Sequence, residues 1–138
     1  MNIWNWITSN WQEIVAAVQG LDEAKFKKEK DLFNKVLLSA QNMMQQLSTY
    51  AKNNQYNLIL QNCSDFLHFA SQMIIGWKLL QSAVLADQKL ATANPSDKFY
   101  YESKVTDFRV YCAHYLTHNL SVAKTITDYT DDVTMLEI

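Results

Sequence analysis

The sequence predicts an all-α protein: an antiparallel bundle of four helices at about residues 2–19, 22–52, 55–93 and 97–127. Three observations predict it. The chain of 138 residues holds only two Gly and one Pro, against usual shares of about 7% and 5%; that scarcity excludes turn-rich β-sandwiches and Gly-rich phosphate loops. Apolar residues recur at steps of three and four, the period of one helix face. The few strong breaks fall between these runs, which makes the links short and neighbouring helices antiparallel.

In the first run Trp4, Ile7, Trp11, Ile14 and Val18 share a face that ends near Gly20. Asp22 is placed to cap the second helix, whose stripe is Phe26, Phe33, Val36, Ala40, Met43, Leu47 and Tyr50. Its first turns, Asp22 to Asp31, mix Lys and Glu at i,i+4 spacing and read as a solvated face. Asn53-Asn54 breaks the run. The third helix then carries Ile59, Cys63, Phe66, Ala70, Met73, Trp77, Leu80 and Val84, with Asn62–Ser64 as a candidate kink because these side chains compete for backbone hydrogen bonds. Pro95 drives Asn94 out of helical geometry, and Ser96 is expected to cap the last helix. Tyr101, Val105, Phe108, Cys112, Tyr115, Val122 and Ile126 form its stripe. No repeat or linker divides the chain, so residues 1–138 read as a single helical-bundle domain.

Charge narrows the function classes. Twelve Lys/Arg against 14 Asp/Glu give a net charge of −2, which argues against a nucleic-acid binder. Residues 128–138 carry Asp128, Asp131, Asp132 and Glu137 with no base and read as a frayed acidic tail. The uncharged runs Val36–Ala51 and Phe66–Trp77 are short of the ~20 residues a membrane span needs and are broken by polar groups. With no basic leader at the N-terminus, the expected setting is cytoplasmic, with both cysteines reduced and buried. The turn at Pro95 sets Cys63 and Cys112 about 22 Å apart along the axis at about 1.5 Å per residue, too far for an intramolecular disulfide.

Candidate chemistry is sparse. His114 and His118 are four apart and face the same way, but no HExxH or CxxC pattern completes a zinc set; they read as flank residues, and His68 as a hydrogen-bonded flank or core histidine. Cys112 and His114 are two apart and point in different directions. No GxSxG turn exists and the carboxylates are dispersed. Catalytic, cofactor-binding and metal residues are therefore all assigned as none. The aromatics are more distinctive. Trp4 and Trp11 lie on the first helix's stripe, but Trp6 does not, and is either a second-face contact or an interface anchor. An interfacial membrane helix would carry Lys or Arg on its polar face, and this one has neither.

Phe66-Leu67 followed by Gly76-Trp77, then Tyr100-Tyr101-Glu102-Ser103-Lys104 and Arg109-Val110-Tyr111, resembles the C-terminal helical domain appended to a subgroup of acyl-CoA dehydrogenases. The likeness covers about residues 55–125 and departs from the family at Leu116-Thr117, where Leu-Pro is frequent. Without that Pro the last helix is expected to be straighter. The resemblance implies a non-catalytic accessory or oligomerisation domain of a flavoprotein that uses FAD to dehydrogenate acyl-CoA thioesters in fatty acid metabolism, with FAD and the catalytic carboxylate held outside this chain. Partners would be the dehydrogenase core or its dimer mate, with self-association of the isolated chain expected. Gly76 would admit a neighbouring helix while Trp77 fills the gap beside it; Lys104 and Arg109 would meet an acidic surface, and Tyr111 completes the candidate interface or packing set. The competing reading is a stand-alone helical adaptor that binds through its Trp-rich first helix.

Overall fold

The computed structural model describes residues 3–129, except for the side chains of Ile3, Trp4, Ile7 and Tyr129. Five α-helices follow one another: α1 Ile3–Gln19, α2 Glu23–Lys52, α3 Tyr56–Leu90, α4 Pro95–Tyr111 and, after a π-helical turn at Cys112–Leu116, α5 Thr117–Tyr129. Backbone geometry stays helical through both ends of the π turn, so α4 and α5 form one rod and the architecture is the expected four-helix bundle. Expectations about the tail beyond Tyr129 and about Trp4 and Ile7 lie outside the described residues.

The ends follow capping chemistry, with one correction. Asp22 accepts the Ala24 amide at 2.8 Å and caps α2. Asn54 takes a positive φ of 57° between α2 and α3, a conformation Asn tolerates. At α4 the cap is Asn94, not Ser96: Asn94 Oδ1 accepts the Asp97 amide at 2.9 Å, and Pro95 occupies the first helical position. Ser96 Oγ instead donates to Asn94 Oδ1 at 2.7 Å. Extended geometry before a proline already makes Asn94 the residue outside the helix, so its side chain reaches the free amides first.

Ile14, Phe33, Val36, Met43, Phe69, Met73, Trp77, Leu80, Phe108, Leu116 and Ile126 form the centre of one apolar core. The longest contact surface is between α3 and α4; α5 packs on α2 and α3, and α1 lies on α2 and α3. Two stripe positions are corrected: Cys63 and Tyr115 are exposed, and Asn62 is buried instead. Asn62 Nδ2 donates to the Leu58 carbonyl at 2.9 Å without breaking α3, so the expected kink is absent there.

The interruptions lie elsewhere. Phe26 departs from helical geometry (φ −124°, ψ 30°) within α2. The last rod is continuous but carries the π turn, which ends where Leu116-Thr117 stands. Its buried positions are Tyr111 and a row that runs Phe108, Cys112, Leu116, Asn119, Ala123, Ile126. Two consecutive steps of four would drift about 80° around a regular helix of 3.6 residues per turn; the wider turn takes up that drift and keeps the row on the core. The Thr117 amide and its Oγ1 both bond the Cys112 carbonyl, the latter at 3.1 Å.

Candidate functional site

The residues singled out from sequence fall into two groups. Gly76, Trp77 and Tyr111 meet inside the bundle, with Trp6 as their cover. Lys104 and Arg109 lie apart from them on α4.

Gly76 is where α3 admits the π turn. A Cβ there would stand 3.2 Å from both Leu116 methyls and 3.2 Å from Tyr111 Cε1, so the close approach expected of this glycine is present. Tyr111 is fastened across the seam: its hydroxyl lies 2.7 Å from the Gln72 carbonyl and 2.6 Å from Gln72 Oε1, and its single proton serves these acceptors in turn. Tyr115 stacks on it with ring centroids 5.0 Å apart. Asn119, fully buried, donates to the Phe69 carbonyl at 3.1 Å and ties α5 to α3 below.

Trp77 is 1% exposed. The half-buried Trp6 ring packs on it at 5.8 Å, and Lys78 Nζ lies 4.1 Å from its centroid. Trp6 thus makes a second-face contact with α3.

Arg109 is engaged within the bundle. It bonds the Lys25 carbonyl at 2.8 Å, pairs with Glu29 at 3.4 Å and lies over the Phe26 ring. Within this chain the acidic group it meets is that of α2, which brings a carboxylate and a carbonyl to the same place. Lys104 differs. It sits 5.2 Å from the Tyr100 centroid and lines a surface cleft of about 160 Å³ with Ser82, Leu85, Lys89, Tyr100 and Tyr101.

Burial, with the nearby Glu29 charge, pushes the Cys112 thiol up to about 12, so it stays protonated near neutrality. Burial, with Cys112 and Tyr115 beside it, likewise pushes the Tyr111 phenol up to about 12. His68, His114 and His118 are all exposed. Among the described residues no group of three or more His, Cys, Asp or Glu is placed to hold a metal ion, and no helix is long and apolar enough to cross a membrane.

Sequence reasoning missed the exposed apolar row Leu60, Leu67, Leu85 on α3 and the rim residues Phe99 and Tyr100 on α4. The signal was present: each of the three leucines follows a core-stripe residue, Ile59, Phe66 or Val84, by one position. That offset turns it about 100° around the helix onto a second face.

The distinctive residues thus lock helix to helix, and the two most perturbed groups are held protonated. A family model described as acetyl-CoA dehydrogenase C-terminal like matches residues 10–137, taking in half of α1 and all of α2–α5. The chain belongs to this family. No curated protein matches it.

Proposed function

We propose that this chain is a non-catalytic accessory C-terminal domain of an FAD-dependent acyl-CoA dehydrogenase. Its role would be to buttress the dehydrogenase core or the contact between subunits, in the cytoplasm. The family match over residues 10–137 carries the reading. The site supports it: Gly76, Trp77 and Tyr111 serve the seam between helices, and Cys112 is held as a neutral thiol. FAD and the acyl-CoA thioester belong to the parent's other domains, and oxidation of the thioester at its α,β carbons is the parent's reaction. The adaptor alternative loses its best anchor, since the Trp6 ring is engaged with Trp77.

The test is the complete reading frame that encodes these residues, expressed whole and as residues 1–138 alone. The expected result is a preceding dehydrogenase core, yellow flavin absorbance and acyl-CoA-dependent dye reduction in the whole protein, with neither in the isolated domain. A frame that encodes these residues without a dehydrogenase core would overturn the proposal and return the adaptor reading.

A further inference from the structure

The α3–α4 hairpin ends in a cleft that combines cations with apolar surface. Lys89 and Lys104 line it, and neither has an ion-pair partner among the described residues; each lies over a tyrosine ring instead, Lys89 over Tyr101 at 5.9 Å and Lys104 over Tyr100 at 5.2 Å. Its apolar neighbours are left in solvent: Leu85 is 53%, Tyr100 57% and Phe99 78% exposed. Exposed aromatics beside unpaired lysines suit a peptide that alternates carboxylates with aliphatic side chains. The same chain contains one. Residues 130–138 carry Asp131, Asp132 and Glu137, no Lys, Arg or His, and Val133, Met135, Leu136 and Ile138 between them.

Reach decides which copy supplies it. The Asn119–Phe69 hydrogen bond sets the register of α5 on α3, so Tyr129 stands level with about residue 59 of α3. The cleft residues of α3, 82–89, are then about 40 Å away along the axis at about 1.5 Å per residue. Nine extended residues span at most about 32 Å. Residues 130–138 thus fall short of the cleft in their own bundle.

We propose that the cleft receives the acidic tail of a second copy of this chain, two bundles lying antiparallel and exchanging tails. In that arrangement each tail's root stands beside the other copy's hairpin, both clefts fill at once and the contact closes on a two-fold axis. The exposed row on α3, with Leu60 level with the tail's root and Leu85 at the cleft, then lies along the line of contact and becomes covered. The inference is independent of the parent-enzyme reading.

The experiment is sedimentation equilibrium of the full chain against two variants, deletion of residues 130–138 and the double charge reversal K89E/K104E, each first shown folded by thermal melting. The full chain is expected to dimerise. Each variant should weaken association by on the order of tenfold or more, and added salt should weaken it in the full chain. Mixing the two variants supplies one intact tail and one intact cleft, so a mixed pair with a single contact should form. A full chain that stays monomeric at every concentration would overturn the proposal. So would a tail deletion that associates as strongly as the full chain, which would assign the contact to the α3 row alone.

Discussion

Arg109 Nη2 donates a 2.8 Å hydrogen bond to the carbonyl of Lys25, joining α4 to α2 beside the residue where α2 leaves helical geometry. The guanidinium gives that carbonyl a charged donor beside the interrupted turn. Its other edge pairs with Glu29, and its plane covers Phe26. One side chain thus offsets the break, neutralises a half-buried carboxylate and caps a core ring.

Replacing Arg109 by Ala should therefore destabilise the fold by about 1–2 kcal/mol, mostly through the charged hydrogen bond to backbone. The half-exposed ion pair adds little. Arg109→Lys should recover less than half, because an ammonium cannot serve carbonyl and carboxylate with one planar fork. Urea denaturation of the three proteins measures this.

Gly76→Ala sets two effects against each other. Alanine gains about 1 kcal/mol of helix propensity over glycine, but its methyl would stand 3.2 Å from Leu116 and Tyr111. Leu116 is fully buried and Tyr111 is bonded to Gln72, so neither yields easily, and overpacking costs about 1–3 kcal/mol. A net loss of about 1 kcal/mol is expected in chemical denaturation, with Gly76→Val worse. A stabilised alanine variant would show that the seam has slack.

The helix caps separate the two candidates at α4. Asn94→Ala should cost about 1 kcal/mol, while Ser96→Ala, which removes only a donor to Asn94, should fall within about 0.5 kcal/mol of the parent. Equal losses in thermal melts would contradict the assignment of Asn94 as the cap.

Thiol titration reads the cysteines. Cys63 is exposed and Cys112 buried with a raised pKa, and the thiolate is the reactive form. One equivalent of an aromatic disulfide reagent should react in the native protein near pH 8, and a second only on unfolding. Two rapid equivalents would mean that the region around Cys112 opens readily.

Alkaline pH tests the same burial through stability. The ordinary values are 9.0 for Cys112 and 10.0 for Tyr111, and both rise to about 12 in the fold. Above pH 9 the unfolded chain therefore loses protons that the folded chain keeps, and stability falls as pH rises from about 9 towards 12. Well below pH 9 these two groups contribute no slope. Cys112→Ala should flatten the early part of the decline, measured as the denaturation midpoint against pH.

What was legible in the sequence depended on the range of the interaction. Helix spans, the cap at Asp22 and the break at Asn53-Asn54 follow from local backbone chemistry and a 3.6-residue period. Gly76 was legible as a close approach because a helix bears the cost of glycine where any side chain would obstruct its neighbour. The partners of Arg109 within the chain were not legible, because Lys25 and Glu29 lie some 80 residues earlier and meet it only after α2 and α4 are brought side by side. The π turn escaped because one extra residue in a single turn leaves the average period almost unchanged.

By itself, then, the sequence determined which segments are helical, which face of each is apolar and, through its resemblance, the family. Tertiary structure alone decided which apolar residues outside those faces are buried. Trp6, one residue off its helix's stripe, is drawn onto Trp77, whereas Leu60, Leu67 and Leu85, each one residue off theirs, are left in water. A helix fixes only the direction of a side chain relative to its own axis; whether another helix stands there is set by packing across the whole chain, and periodicity carries no information about that.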